Sequence, residues 1–297
     1  MKRNPICKKE MRSAVRDVKI PVTITICSGI LAAVALLSMY LNVAQVRVSA
    51  QIQYRSFLDL YVFVAVIGFL MLVFLMPALT AGSISGERER QTLDIMMTTM
   101  VSRWDIVSGK LLSSLAVMFL VIISMFPVLA LAFVYGGISW LDVGILMICF
   151  FTSALLTGAI GIFCSALFKR SIISTVVAYS LTALVFIGTY GVNLLAESLS
   201  RMTNGGLSGM GAVSDAGSGA FLYLLLINPS STFMMILDGQ MNPAAPRPDA
   251  WFGPHAVSLI TENWALAGMA VQLAGAACLI WAAVKVMDIE RLKRKHA

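Results

Sequence analysis

The chain has 297 residues, of which 59% are hydrophobic and only 12% are charged, with a formal net charge of +7. Soluble globular domains carry about 25% charged residues, so this composition excludes an ordinary soluble protein and predicts a membrane protein. The basic excess requires no nucleic-acid partner, because positively charged loops and anionic lipid account for it.

Six apolar runs are long enough to cross a bilayer, which takes roughly 20 helical residues. Backbone groups in lipid must bond within their own segment, so each run is predicted to be a helix. The predicted fold class is an all-α polytopic membrane protein, with a single transmembrane domain over residues 1–297. The predicted spans are Ile20–Leu41, Leu60–Ala81, Ile106–Val134, Val143–Phe168, Ile172–Leu195 and Trp264–Val286.

The basic residues are distributed unevenly between the loops. Of the 22 Lys and Arg residues, only Arg47, Arg55, Arg201 and Arg247 lie in the segments that alternate with the basic ones. Cytoplasmic loops of membrane proteins are enriched in Lys and Arg. We therefore predict a multi-pass protein of the plasma membrane with both termini in the cytoplasm.

Residues 1–19 are predicted to form an amphipathic helix in the headgroup layer. Asn4 and Pro5 are suited to the start of a helix. Basic residues then recur on one side and apolar residues on another, which is typical of interfacial helices. The alternative is a positively charged flank without fixed structure. The two sides are formed by Lys8, Arg12, Arg16 and Lys19, and by Met11, Val15 and Val18.

A charged segment at residues 83–105, here called the coupling segment, separates the second and third runs. The spacing predicts one cytoplasmic helix from Glu87 to Met100 with an apolar stripe. Such a stripe requires a partner surface or the membrane face, and the alternative is that it packs against its own bundle. The stripe contains Leu93, Met96, Met97 and Met100, and the charged side contains Glu87, Arg88, Glu89, Arg90 and Asp94.

Two further stripes lie in the fourth and fifth spans. Small residues in the fourth span predict close helix packing, and they are Ala154, Gly158, Gly161 and Ser165. Polar residues on one side of the fifth span favour packing with neighbouring helices, although a role in a substrate route is also open. These residues are Ser171, Thr175, Thr182, Thr189 and Asn193.

Residues 196–263 are predicted to be the largest external segment. Two apolar stretches, Phe221–Ile227 and Phe233–Leu237, are each too short to span a bilayer. Asn228-Pro229 lies between them, and the proline interrupts a single helix. We therefore predict a re-entrant helical hairpin before the last span.

Several kinds of chemistry lack their sequence signature. The chain has no G-x-x-x-x-G-K-[ST] motif for nucleotide phosphates. Both histidines lie outside the predicted spans, the five cysteines form no C-x-x-C pair, and no metal site or catalytic residue is predicted. No span has an acidic residue near its middle for ion coupling. A transport function would therefore need energy from elsewhere, and a separate ATPase is the expected source.

The coupling segment matches a known sequence pattern. The match begins with Ser83-Ile84-Ser85-Gly86-Glu87-Arg88-Glu89, continues through Thr92 to Thr99 and is followed by Gly109-Lys110. It resembles the coupling segment of type 2 ATP-binding-cassette exporter permeases, S-I-x-x-E-R-E-x-x-T-x-E-x-L-L-x-T with I-x-x-G-K. The start of the chain is also similar, at Asn4, Pro5, Lys9, Glu10 and Arg12. Asp94 stands where glutamate is usual, and Met100 where proline is common.

The resemblance implies a transmembrane permease subunit that moves a substrate outward and is not itself an enzyme. It implies an ATP-binding-cassette ATPase that carries ATP and Mg, and a second permease subunit, identical or paralogous. A membrane sensory module that recruits a cytoplasmic partner is the alternative, and an intramembrane enzyme is a weaker one. The residues that the resemblance assigns to ATPase coupling are Glu87, Arg88, Glu89, Thr92, Leu93, Asp94, Met96 and Met97.

Overall fold

The computed structural model describes residues 19–49, 55–93, 102–136, 139–205, 218–241 and 259–295. All regular secondary structure in these ranges is helical. The predicted interfacial helix lies outside the described residues except for its last residue. Asp94, Met96, Met97 and Met100 of the coupling segment also lie outside them, as do residues 206–217 and 242–258 of the predicted external segment.

Ten α-helices are described, together with a π-helical turn at Leu184–Gly188 and a 3-10 helix at Gly219–Ile227. The π turn joins α6 to α7, and the 3-10 helix precedes α8. The helices are α1 Lys19–Ser49, α2 Arg55–Thr80, α3 Ser85–Glu89, α4 Arg103–Gly136, α5 Trp140–Leu167, α6 Ser171–Ala183, α7 Thr189–Gly205, α8 Pro229–Met241, α9 Leu259–Glu262 and α10 Trp264–Lys295.

Five of the predicted spans are confirmed as helical stretches long and apolar enough to cross a membrane. They are Tyr61–Glu89, Arg103–Pro127, Trp140–Leu167, Ser171–Met202 and Trp264–Met287. The first predicted span lies in α1, whose described apolar part, Ile24–Leu37, is shorter. The fold is therefore an all-α polytopic membrane protein.

The predicted interruption at Asn228-Pro229 is also observed. The 3-10 helix and α8 meet there at a bend of 95°, which has the geometry of a re-entrant loop or a broken span. Proline fixes its own φ and has no backbone N–H, so it begins a helix more readily than it continues one. We call Gly219–Met241 the hairpin.

The chain divides into two compact units, Met1–Ala178 with Ala276–Ala297, and Tyr179–Gly275. In the first unit, α2 packs against α4 and α5. A Cβ atom added at Gly161 would overlap Thr80, and one at Gly158 would overlap Met76. The small-residue face of α5 therefore lets α2 approach closely, as predicted from its spacing.

The second unit has its own apolar core. The 3-10 helix packs against α7 and α8. Its leucines are buried beside Met235 of α8 and Trp264 of α10, with Tyr190 and Ala267 partly buried around them. The core anchors the hairpin, and its leucines are Leu222, Leu225 and Leu226.

Candidate coupling site

The turn between α2 and α3 is fastened by serines from other helices. Ser165 Oγ of α5 accepts hydrogen bonds from the backbone N–H groups of Ile84 at 2.8 Å and Ser85 at 3.0 Å. Ser174 Oγ of α6 donates to the carbonyl of Ala81 at 2.7 Å. These bonds satisfy backbone groups that a helix break would otherwise leave buried without partners. The start of α3 is thereby held in a fixed position.

Glu87 forms an ion pair with Lys110 of α4. Lys110 Nζ lies 2.8 Å from Glu87 Oε1, and the two side chains are 5% and 24% exposed, respectively. The other carboxylate oxygen, Oε2, is buried and accepts no hydrogen bond within the described part of the chain. A lysine buried to this degree is rarely found without a charged partner. The pair therefore ties α3 to the first turns of α4.

Arg88 reaches the carboxyl end of α5. Its Nη2 donates to the Ala166 carbonyl at 3.1 Å, and Nη1 lies 3.5 Å from the Phe168 carbonyl. The last carbonyls of a helix have no partner inside the helix, and they carry the negative end of its dipole. A guanidinium group is suited to this position because it presents several donors in one plane.

Glu89 binds the beginning of α6. Oε1 accepts from the Ser171 backbone N–H at 3.0 Å, and Oε2 accepts from Ser171 Oγ at 2.8 Å. Both bonds satisfy donors at a helix N-terminus, where a carboxylate is electrostatically favoured. Successive helical residues point about 100° apart, so three consecutive charges reach three different helices.

The predicted single helix from Glu87 to Met100 is wrong in its described part. Gln91 has a φ of 58°, the left-handed region, which cannot lie inside an α-helix. The Gln91 N–H bonds to the Arg88 carbonyl at 3.1 Å, and Thr92 Oγ1 donates to the Glu87 carbonyl at 3.2 Å. The segment therefore turns after α3.

The predicted coupling residues differ in their contacts and in their exposure, and Glu89 is exposed although its carboxylate bonds within the chain. Glu87, Arg88 and Glu89 all bond within the chain, and Leu93 is only 4% exposed. Thr92 is exposed, as are Arg90, Gln91 and Trp104. These positions support the alternative that part of the segment packs against its own bundle. Contact with an ATPase stays a prediction for the group as a whole.

Sequence reasoning missed the partners of these charges. Lys110 was visible in the Gly109-Lys110 motif, but its distance along the sequence from Glu87 gave no sign of an ion pair. Ser171 was assigned to a polar stripe, whereas its N–H and hydroxyl both bind Glu89. A serine at the first residue of an apolar run, after Lys169-Arg170, was the available signal for a helix start.

The polar stripe of the fifth span has partners within the chain. Thr182, Thr189 and Asn193 are 3%, 8% and 2% exposed. Thr189 Oγ1 donates to the Val185 carbonyl at 2.7 Å, and Asn193 Oδ1 accepts from the Ser218 hydroxyl. These contacts favour the packing role that the spacing left open. The role in a substrate route stays a prediction.

The remaining two stripe residues lie in the first unit. Thr175 Oγ1 donates to the Ser171 carbonyl at 2.9 Å, one helical turn earlier. Ser171 is bonded to Glu89, as described above. Among the described residues, no group of three His, Cys, Asp or Glu side chains could hold a metal ion.

Asn228 holds the bend of the hairpin. Its Nδ2 donates to the Phe186 carbonyl in the π turn at 2.9 Å and to Thr189 Oγ1 at 2.8 Å. Its Oδ1 accepts from the Ser230 N–H at 2.9 Å and from Ser230 Oγ at 2.7 Å. A side-chain amide has two donors and two acceptor positions, so this fully buried amide uses all four.

Gln272 of α10 contacts the same bend. Its Nε2 donates to Thr232 Oγ1 at 2.8 Å and lies 3.4 Å from the Asn228 carbonyl. The side chain is fully buried, and its Oε1 has no hydrogen-bond partner among the described residues. A Cβ added at Gly268, one turn earlier, would overlap Thr232. We call Asn228, Gln272 and their partners the hairpin network.

These features define a multi-pass, all-helical membrane protein with a charged segment bonded to neighbouring helices and with a bent apolar hairpin. The profile of one family, described as ABC-2 family transporter protein, matches residues 4–284. The chain therefore belongs to the ABC-2 family and is a membrane permease component of an ABC transporter. A search among curated proteins finds no match.

Proposed function

We propose that the chain is the permease subunit of an ATP-driven exporter, which moves a substrate outward across the plasma membrane. A separate ATP-binding-cassette ATPase hydrolyses Mg-ATP, and a second permease chain, identical or paralogous, completes the complex. The coupling segment and both termini face the cytoplasm, where the excess of basic residues is expected.

One observation carries this proposal. In a chain of this family, a short charged helix ends the Tyr61–Glu89 stretch, is joined by a turn to the helix that precedes it and is bonded to three helices that follow. Movement imposed on that helix by a partner would therefore reach α2, α4, α5 and α6 together. A coupling ATPase requires a connection of this kind, because it binds outside the bilayer and must move helices inside the bilayer.

The docking surface is proposed to be the part of the coupling segment that directly follows α3. Arg90, Gln91 and Thr92 are exposed in succession after α3, and Asp94, Met96 and Met97 continue the chain. Methionine side chains adapt readily to a partner surface. A few buried apolar residues usually supply most of the free energy of an interface.

Co-purification of the ATPase tests this docking surface. In Met96→Asp, Met97→Asp, two charges replace the proposed apolar anchors, and we expect recovery of the ATPase to fall about tenfold or more, since a hot-spot loss of 2 kcal/mol exceeds a tenfold change in affinity. The control is Asn263→Asp, which adds a charge at an exposed position outside the spans. Undiminished recovery would contradict docking here, and failure of the unaltered chain to recover an ATPase would favour the sensory alternative.

A further inference from the structure

We infer that Glu87, Arg88 and Glu89 are not the ATPase-binding charges of the coupling segment but an intrachain clasp that transmits movement of α3 to the bundle. This inference rests on the proposed function. The clasp consists of these three side chains and their partners: Lys110, the carbonyls of Ala166 and Phe168, and Ser171. All of them belong to one compact unit.

The first argument is that the clasp side chains are already engaged. For Glu87 to bind an ATPase, its carboxylate would have to leave Lys110, whose side chain is only 5% exposed. Removing the partner of the buried Lys110 leaves that charge poorly solvated, which is unfavourable. Glu89 is exposed, but both of its carboxylate oxygens accept hydrogen bonds from Ser171. The neighbouring Arg90 is also exposed and could bind a partner without breaking a contact of the clasp.

The second argument concerns where the clasp bonds end. Glu87 binds near the start of α4, Arg88 binds the end of α5, and Glu89 binds the start of α6. Helix ends are where backbone groups lack partners within the helix. Charge-assisted hydrogen bonds are stronger and more directional than apolar contacts. A displacement of α3 would therefore act on the end of α5, on the start of α6 and on α4 near its start.

The third argument is that the clasp begins from a fixed base. Ser165 and Ser174 hold the turn that leads into α3, and Gly161 lets α2 lie close to α5 just before it. The left-handed residue Gln91 then turns the chain two residues after α3 ends. The coupling segment thus has two consecutive parts, a clasp at 87–89 and a docking surface from residue 90 onward.

A charge-swap series separates transmission from docking. The variants are Glu87→Lys, Lys110→Glu and the double swap, prepared in the full chain with and without its ATPase. Three quantities are measured: the apparent melting temperature of the permease alone, the recovery of the ATPase, and the rate of Mg-ATP hydrolysis by the complex. Arg90→Glu is the matched control, because its charge lies next to the clasp but is exposed.

We expect each single reversal to lower the melting temperature by roughly 3 °C or more and the double swap to restore most of that loss. ATPase recovery should stay within about twofold of the unaltered complex, while hydrolysis in the complex changes by about fivefold or more, the lower end of usual coupling between sites. Arg90→Glu should give the opposite pattern, with reduced recovery and an unchanged melting temperature.

Two results would overturn the clasp. One is unchanged hydrolysis in single variants that retain the ATPase. The other is loss of the ATPase in the single variants without rescue by the swap, which would mean that these charges contact the partner directly. If the reversals do not fold, Ser171→Ala and Arg88→Lys replace them and are judged by the same rates. If the unaltered chain binds no ATPase, the proposed function fails, and the melting-temperature cycle still tests the ion pair.

Discussion

The clasp and the hairpin network perform the same structural task with different chemistry. Each fixes a short segment beside a break in the helices to longer helices around it. The clasp uses formal charges, and Glu87 in it is 24% exposed. The hairpin network uses side-chain amides and hydroxyls, and both Asn228 and Gln272 are fully buried.

The difference follows from the cost of placing charge in apolar surroundings. An ion that loses its water needs both a partner and further hydrogen bonds, and the desolvation penalty can exceed the attraction between the charges. A neutral amide requires only its four hydrogen bonds, and Asn228 has all four. The clasp therefore uses formal charges where the Glu87 carboxylate partly reaches water. The hairpin network uses amides where the Asn228 and Gln272 side chains do not reach water at all.

Asn228→Asp tests most directly whether the hairpin network excludes formal charge. The substitution places a carboxylate in the hairpin network and removes the donors to the Phe186 carbonyl and Thr189. We expect the free energy of unfolding to fall by about 3 kcal/mol or more, comparable to a charge at the centre of a membrane helix. Thermal unfolding of the purified permease measures it, with Ser102→Asp at an exposed position as the control. Equal small losses in both variants would show that the bend tolerates charge.

The hairpin was largely predictable from the sequence, whereas the clasp was not. Asn228-Pro229 between two short apolar stretches marks the bend by local chemistry, because proline restricts its own φ and removes a donor. Arg88 and Glu89 of the clasp bind residues about eighty positions along the chain, such as Ser171. No local pattern shows which helix ends will meet α3. The apolar period that included Leu93 predicted either a partner surface or packing against its own bundle, and the burial of that leucine favours the second interpretation for this residue.

Glu87→Gln replaces a charge of the clasp with a neutral amide and should lower the free energy of unfolding by less than Asn228→Asp does. The glutamine keeps the shape and one hydrogen bond, but Lys110 loses its opposite charge. Hydrogen bonds to charged groups contribute about 1.5 to 3 kcal/mol, and we expect a loss near the lower value because Glu87 is partly exposed. Thermal unfolding with Glu197→Gln, which alters an ion pair whose Arg201 side chain is 67% exposed, provides the comparison. A loss no larger than in that control would mean that the clasp pair acts as a surface ion pair.

Gln272→Leu should have the smallest effect, although Gln272 is the more deeply buried residue. The substitution removes the bond to Thr232 Oγ1, but it also removes Oε1, which has no partner among the described residues. Leaving a buried polar atom unsatisfied costs about 1 to 3 kcal/mol, so the two changes oppose each other. We expect the free energy of unfolding to change by less than about 1 kcal/mol.

Gln272→Glu keeps the shape and adds a charge at the same position, and it should lower the free energy of unfolding several times more than Gln272→Leu does. A large loss in Gln272→Leu would show that the Thr232 bond dominates, and that Gln272 fixes the hairpin as firmly as Asn228 does.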